Sequence, residues 1–141
     1  MVSKILVPVD PDEADFAAPS IEYAAKLASM DGAVIRLVGV APILAGYGTE
    51  YVPASMDVVT DQDAQSKLAV LARMAEAHGG KVETVIRLGS VAPEVLEEAK
   101  AWGADLIVVS SHKPRLATYL LGSSATQIVR HALCSVMVLR D

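Results

Sequence analysis

Small and hydroxyl-bearing residues are concentrated near the end of the chain, in the segment Gly122-Ser123-Ser124-Ala125-Thr126, which we predict to open a helix. The first turn of a helix presents backbone N–H groups without intrahelical acceptors, together with about half a positive charge. Small residues let an anion come close to these groups and hydroxyls add donors, so the segment is a candidate phosphate site. The residues alone leave a second interpretation open, in which Ser123 only caps the helix.

Hydroxyls, an imidazole and two cations precede that helix, in the segment Ser110-Ser111-His112-Lys113-Pro114-Arg115. Lys113 and Arg115 could donate to phosphate oxygens, and a charge-assisted hydrogen bond of this kind contributes roughly 1.5–3 kcal/mol when it is partly desolvated. The alternative is a basic turn that contacts only solvent. His112 could hydrogen-bond the loop backbone. Because the sequence assigns it no partner, we do not interpret His112 as a catalytic base.

An acidic residue ends the first predicted strand. Asp10 follows the apolar run Lys4–Val9. A carboxylate at the end of such a strand can accept hydrogen bonds from ribose hydroxyls or from an adenine amine. Asp10 could instead cap a helix or form the turn itself, so nucleoside contact and turn formation are both open for it.

Short apolar runs alternate along the chain with stretches in which apolar residues recur at helical spacing. This alternation predicts an α/β fold with a parallel sheet and right-handed crossovers, in a single domain over residues 1–141. Ligands bind such sheets beyond the carboxyl ends of the strands, where the strand order reverses. The candidate residues follow three of these strand ends. The predicted strands are Lys4–Val9, Ala33–Ala41, Val82–Leu88, Ala104–Val109 and Ser135–Arg140.

The helices are less sharply defined than the strands. Asp12 or Asp15 is a candidate cap for the first helix. Pro19 predicts that this helix begins late or kinks, because proline fits only the first turn. The segment Pro42–Thr60 contains glycines and prolines and is predicted to be a long functional or mobile loop. The second helix is expected over Asp61–His78.

The composition favours a compact intracellular protein. The chain has 141 residues, of which 52% are hydrophobic and 4% aromatic, so Ala, Val, Leu and Ile must build the core. The formal net charge of −5 argues against non-specific binding to nucleic acid or to an anionic membrane. Cys134 is the single cysteine and excludes an internal disulfide, and no apolar run approaches the ~18 residues of a transmembrane helix. We therefore expect a soluble, cytoplasmic protein.

Other folds share this alternation of strands and helices, but the sequence lacks the motifs that define them. A response-regulator receiver needs an aspartate after the third strand, where this chain has Arg87-Leu88-Gly89. A dinucleotide-binding Rossmann domain needs G-x-G-x-x-G after the first strand, where this chain has Asp10-Pro11-Asp12-Glu13. The sequence also has no Walker A motif and no H-E-x-x-H motif.

Three segments together resemble a known family. KILVPVD at the start, the LGS-x-A element after the third strand and RHALCSVMVLR at the end are similar to universal stress proteins, in the same order and spacing over essentially the whole chain. The pattern SSHKPxxxTYLLGS resembles the F/G-type bacterial subgroup. The resemblance implies a three-layer α/β/α fold of the adenine nucleotide alpha hydrolase-like type. Its five-stranded parallel sheet has the order 3-2-1-4-5 and is flanked by four helices.

The resemblance also implies which residues would bind ATP or a related adenine nucleotide (ADP or AMP), with a magnesium ion as an optional companion. The family's ATP-binding pattern has two glycines before the final Gly-Ser. Ser110 and Lys113 occupy their places, so Lys113 or Arg115 would supply a cation instead of close backbone donors. By position, the family's nucleotide contacts fall on Pro8, Val9, Asp10, Val40, Val109, Ser110, Gly122, Ser123 and Ser124.

Together, the residues and the resemblance predict a universal stress protein that binds an adenine nucleotide as a regulatory module of the stress response. Two alternatives stay open. One is a dimeric stress module that binds no nucleotide, and the other is a slow ATPase or autophosphorylating protein, for which no catalytic residue can be assigned. The last strand is expected at a sheet edge, with Val136 and Val138 on one face. We therefore predict a homodimer through Ser135–Arg140.

Overall fold

The computed structural model describes residues 2–41, 54–111 and 122–140, and over 54–61 it describes the backbone alone. Strands and helices alternate along the chain. The strands are β1 (Lys4–Val9), β2 (Val34–Ala41), β3 (Lys81–Leu88), β4 (Leu106–Ser110) and β5 (Ser135–Leu139). The helices are α1 (Ala14–Asp31), α2 (Ala54–Glu76), α3 (Val91–Trp102) and α4 (Ser123–His131).

The five strands form one sheet with the order β3-β2-β1-β4-β5. Every strand pair is parallel, which confirms the predicted fold class. β1 pairs with β2 on one side and with β4 on the other, so the strand order reverses at β1. The carboxyl ends of β1, β2 and β4 therefore border the crevice in which sheets of this kind bind ligands.

Helices cover both faces of the sheet, and strand side chains alternate between two apolar cores. On one face, Ile5, Val7 and Leu37 pack with α1 and α2. On the other face, Leu6 and Ile107 pack with α3 and α4. Alanine supplies much of the helix side of these contacts, which lets the helices lie close to the sheet. The buried alanines of α1 and α3 are Ala17, Ala24, Ala25, Ala28, Ala92 and Ala99.

A cluster of charged side chains connects α3 to β2 and β3, on the side of the sheet that α3 covers. It consists of Arg36, Glu83, Arg87, Glu94 and Glu98. Glu98 is only 5% exposed and accepts hydrogen bonds from Arg36 Nη1 at 2.7 Å and Arg87 Nη1 at 2.9 Å. Arg36 also pairs with Glu83 at 2.9 Å, and Arg87 with Glu94 at 2.8 Å. Burial alone would raise the pKa of Glu98, but the two guanidinium groups outweigh burial and lower that pKa.

Two sequence-based expectations about α1 are wrong. The late start expected from Pro19 is wrong, because the helix begins at Ala14 and contains Pro19 as its sixth residue. The alternative, a kink at Pro19, stays a prediction. Neither Asp12 nor Asp15 caps the helix, because the N-cap is Glu13 and no side chain makes a capping hydrogen bond. Proline removes one helical hydrogen bond, and burial of the apolar face of α1 offsets that loss.

The predicted start of α2 is also wrong, since the helix begins at Ala54, seven residues before Asp61. The segment Pro42–Thr60 is therefore helical in its last part, while residues 42–53 lie outside the described residues. Residues 54–60 contain no glycine or proline, and Pro53 directly precedes them in the sequence. The glycines and prolines before Ala54 are what suggested a longer loop.

Candidate functional site

Two adjacent cavities, which share several lining residues, open at the carboxyl ends of the central strands. The larger has a volume of about 350 Å³ and the smaller of about 120 Å³. Pro8, Val9 and Asp10 at the end of β1, and Val91 at the start of α3, line both of them. The cavities therefore form one cleft, located where the strand order reverses.

The larger cavity combines apolar strand residues with polar residues from the β1–α1 turn and from α2. Gly39 of β2 leaves room for its neighbours, since an added Cβ would lie 3.2 Å from Leu68 Cδ1 and 3.5 Å from Pro11 Cγ. An apolar pocket with a few polar groups in its wall suits a flat organic ring. Besides the shared residues, its lining consists of Pro11, Asp12, Val38, Gly39, Val40, Ala41, Asp63, Ala64, Lys67 and Ile86.

Asp10 lies in the wall of both cavities and is held by the turn that follows β1. Its Oδ1 accepts a hydrogen bond from the backbone N–H of Asp12 at 2.9 Å. Its carbonyl oxygen accepts one from the N–H of Glu13 at 3.0 Å. Asp10 thus forms the turn, as one interpretation of the sequence predicted, and its exposed side chain also borders the cleft.

The smaller cavity lies between the end of β4 and the start of α4. Val109, Ser110 and Ser124 are among its lining residues. The Oγ of Ser110 is 2.6 Å from the Oγ of Ser20, a residue of α1 that is 1% exposed. This part-buried hydrogen bond, in which either hydroxyl can be the donor, connects α1 to the end of β4.

α4 begins at Ser123, and Gly122 is its N-cap. The N–H of Gly122 donates to the carbonyl of Ser111 at 2.7 Å, and the carbonyl of Gly122 accepts from the N–H and the Oγ1 of Thr126, each at 2.9 Å. The interpretation of Ser123 as the cap is therefore wrong, and among the described residues no side chain caps α4. The first N–H groups of α4 have no intrahelical acceptor and carry the positive end of the helix dipole.

A family comparison covers nearly the entire chain. The model of the universal stress protein family matches residues 1–140. The chain belongs to the universal stress protein family. Universal stress protein G of Shigella flexneri is 32% identical to it over 143 residues, which cover 99% of this chain and 100% of that protein. The resemblance noted in the sequence is thereby confirmed.

Solved universal stress proteins share the fold of this chain. One, in complex with cAMP, has a TM-score of 0.77 and 20% identity, with 98% of this chain and 97% of that chain covered. Another, from Archaeoglobus fulgidus in complex with dAMP, has a TM-score of 0.69 and 22% identity, with 98% of each chain covered. At such identities the likeness establishes the fold, in agreement with the strand order implied by the resemblance.

Most of the site residues predicted for this universal stress protein come together in the cleft. Gly122 and Ser123 stand at the start of α4, directly before Ser124. His112, Lys113 and Arg115 lie outside the described residues. The predicted residues that line the two cavities are Pro8, Val9, Asp10, Val40, Val109, Ser110 and Ser124.

Some residues that line the cleft of this universal stress protein were not singled out from the sequence. Val91, which is 42% exposed, lies in both cavities, and the available signal was its place just after Gly89-Ser90 at a strand end. Lys67 and Ile86 line the larger cavity. No local pattern marked Lys67, because α2 was located only by its apolar face.

Neither a metal-binding cluster nor a membrane-spanning helix is found in the described part of this universal stress protein. Within residues 2–41, 54–111 and 122–140, no group of three or more His, Cys, Asp or Glu side chains is placed to hold a metal ion. None of the helices in that same part combines the length and apolar character needed to cross a membrane. Burial raises the pKa of the Cys134 thiol, which disfavours its reactive thiolate form.

Proposed function

We propose that this universal stress protein binds ATP or a related adenine nucleotide and acts as a regulatory module of the stress response. The observation that carries the proposal is the continuity of the two cavities through Pro8, Val9 and Asp10. A nucleotide needs such a pair of environments, because its base is largely apolar and its phosphates require hydrogen-bond donors and positive potential. The larger cavity offers the first, and the start of α4 offers the second.

The charges of the cleft favour one orientation of the ligand. Asp10 lines both cavities, but among the described residues only the larger one adds two further carboxylates, Asp12 and Asp63, against the single cation Lys67. Phosphates are repelled by such an environment. The smaller cavity has Ser124 in its wall and lies at the positive end of α4. The phosphates are therefore assigned to the smaller cavity and the nucleoside to the larger one.

Individual roles follow from that orientation. Val40 is assigned to the adenine, and Pro8, Val9 and Asp10 to the nucleoside. His112, Lys113 and Arg115 are assigned as further donors and cations near the phosphates, on the strength of the sequence alone. A magnesium ion would accompany a polyphosphate rather than occupy a site of its own. The phosphate contacts are assigned to Val109, Ser110, Gly122, Ser123 and Ser124.

The solved relatives give independent support for the class of ligand. Two universal stress proteins that share this fold are described as complexes with cAMP and with dAMP. Both ligands are adenine nucleotides with one phosphate. ATP, ADP and AMP differ only in the number of phosphates that must fit beside α4, so the titrations below compare all three.

A thermal-shift titration with ATP, ADP and AMP tests the proposed function, with GTP as a control for the base. A ligand at 100 times its dissociation constant stabilises the folded state by about 2.7 kcal/mol. We therefore expect at least one adenine nucleotide to raise the Tm clearly, and GTP to raise it less. No shift with any nucleotide at millimolar concentration would contradict the proposal and favour a module with an empty cleft. Conversion of ATP to ADP during the titration would indicate a slow ATPase instead of a binding module.

Ser124→Asp separates ligand binding from folding. A carboxylate in the first turn of a helix interacts favourably with the dipole, by about 0.3–1 kcal/mol, so the unliganded variant should be at least as stable as the wild type. The same carboxylate lies in the smaller cavity and repels phosphates, so we expect ATP binding to weaken about tenfold. Ser124→Ala is the matched control for loss of the hydroxyl alone and should weaken ATP binding much less than Ser124→Asp does. Unchanged ATP binding by Ser124→Asp would show that the phosphates lie elsewhere.

A homodimer in the cytoplasm is the second part of the proposal. β5 is an edge strand, and the side chains of residues 136–139 are only half-buried. An open edge with half-buried apolar side chains favours pairing with a second copy. The interface is accordingly assigned to Ser135–Arg140. Cell fractionation would test the location.

A further inference from the structure

Lys67 of α2 connects that helix to the β1–α1 turn beside the larger cavity. Its ammonium group pairs with Asp12 of the turn and, at 2.9 Å, with Asp63 one helical turn earlier. All three side chains line the cavity. The hydrogen bonds to Asp12 and Asp63 raise the pKa of Lys67, so Lys67 is charged at physiological pH.

These ion pairs are too exposed to contribute much to the free energy of unfolding. The exposed fractions of the side chains are 40% for Lys67, 74% for Asp12 and 61% for Asp63. Pairs of this kind contribute little to the free energy of unfolding, because water screens them. They can still select one geometry for the short turn between β1 and α1, which belongs to neither element.

When the β1–α1 turn is fixed by these ion pairs, it holds Asp10 in position. The backbone N–H of Asp12 donates to Asp10 Oδ1 at 2.9 Å, so the position of Asp12 sets the direction of the Asp10 carboxylate. Pro11, between the two aspartates, lies close to Gly39. A continuous chain of contacts therefore runs from Lys67 through Asp12 to Asp10, the acidic residue that borders both cavities.

We propose that Lys67 is a positioning residue for nucleoside recognition: by holding Asp12, it fixes the turn that orients the Asp10 carboxylate. This role rests on the proposed binding of an adenine nucleotide. Lys67 acts through Asp10 on the nucleoside half of the ligand, so its effect is independent of the number of phosphates. A direct contact between Lys67 and a phosphate would have the opposite signature, since each added phosphate would increase the effect.

Calorimetry with adenosine and with ATP tests this role. Lys67→Met keeps the apolar stem and the helix propensity of the side chain, and the unliganded Tm checks that the fold is intact. We expect Lys67→Met to weaken adenosine and ATP equally, by about threefold. Lys67→Arg, which can keep both ion pairs, should bind like the wild type. Asp63→Asn removes the other partner of Lys67 and leaves the pair with Asp12, so it should weaken both ligands less than Lys67→Met does.

The decisive readout is the double variant of Asp10→Asn with Lys67→Met. If Lys67 acts through Asp10, Lys67→Met has no further effect once Asp10 is replaced, whereas a merely structural role gives additive losses. Additive losses, wild-type affinity of Lys67→Met, or a larger loss for ATP than for adenosine would each overturn the positioning role while nucleotide binding stands. If the wild type binds neither adenosine nor ATP, the proposed function is overturned, and the positioning role of Lys67 with it.

Discussion

Gly89 is a residue at which one added carbon would disturb both the fold and the approach to the cleft. Its φ is +141°, and a Cβ would lie 3.0 Å from Cγ and from Oε2 of Glu94. Glu94 accepts a hydrogen bond from Arg87 at 2.8 Å, so it is not free to move aside without losing that bond. The N–H of Gly89 donates to the carbonyl of Ala41 at 2.9 Å. Gly89 therefore joins the ends of β2 and β3, two residues before Val91 enters the cleft.

We expect Gly89→Ala to lower the free energy of unfolding by about 1–3 kcal/mol, through backbone strain and the contact with Glu94. Gly80→Ala is the matched control, because nothing lies within 4 Å of an added Cβ at that position. That change should be neutral or stabilise by up to ~1 kcal/mol. Denaturant unfolding of both variants measures the difference. Equal changes in the free energy of unfolding for the two variants would show that neither the positive φ of Gly89 nor its closeness to Glu94 requires glycine there.

At this residue scale, the sequence predicted the parts of the cleft formed by the strand ends and by the start of α4, and missed the part formed by α2. Val109 was implied by the resemblance, whereas Asp10 and Ser110 could be found because the carboxyl ends of parallel strands meet at one edge of the sheet. Lys67 could not, because its partner Asp12 is 55 residues away in the sequence and neither residue belongs to a local motif. Contacts of that kind depend on how α2 lies against the turn.

At the scale of elements, α3 is held to the sheet by charge as well as by apolar contact. Glu98 connects Arg36 of β2 to Arg87 of β3. Glu98→Gln should lower the free energy of unfolding by about 2–3 kcal/mol, less than for fully buried ion pairs, because both guanidinium groups are partly exposed and keep another partner. Denaturant unfolding at neutral pH measures the loss. A change under about 0.5 kcal/mol in the free energy of unfolding would mean that the charged cluster does not stabilise the fold.

The acid dependence of stability provides a second measurement on Glu98. Its folded-state pKa is lowered, so its carboxylate contributes stability above the unfolded-state pKa of about 4.3. This contribution is lost as the pH falls through the folded-state pKa. Stability of the wild type should therefore fall more steeply in acid than that of Glu98→Gln. Glu97→Gln, at the exposed neighbouring position, should keep the wild-type profile. Parallel acid profiles for the wild type and Glu98→Gln would rule out this contribution.

Strands were easier to predict than helix starts, for a physical reason. A strand buried on both faces is a continuous apolar run, so Lys4–Val9 was located at its observed bounds. The start of α2 has no such marker. Val58, Val59 and Thr60 are β-branched and have weak helix propensity, and the neighbouring glycines and prolines suggested a loop. The helix nevertheless begins at Ala54, and among its described residues Leu68 and Leu71 pack in the core.

At the scale of the whole molecule, the strand order leaves β5 as an open edge. The alternation of strands and helices predicted a parallel sheet, but the order itself was implied by the resemblance, because periodicity carries no information on which strands pair. In the structure the N–H of Ser111 donates to the carbonyl of Leu139 at 3.0 Å. Backbone groups of successive residues alternate between the two edges of a strand. The backbone N–H groups of Met137 and Leu139 therefore point toward β4. Those of Val136 and Val138 point toward the open edge of the sheet.

That alternation gives a sharp test of the proposed dimer. We expect the wild type to be dimeric at micromolar concentration and Val138→Pro to be monomeric and folded. Proline at Val138 removes an N–H that bonds nothing in the β4–β5 ladder, and edge strands tolerate such a proline. Met137→Pro is the matched control, because it removes an N–H that faces β4 and should destabilise the monomer itself. Light scattering after size-exclusion chromatography, with circular dichroism of each peak, measures both properties. A wild type that is monomeric at that concentration, or a folded Val138→Pro that stays dimeric, would exclude β5 as the interface.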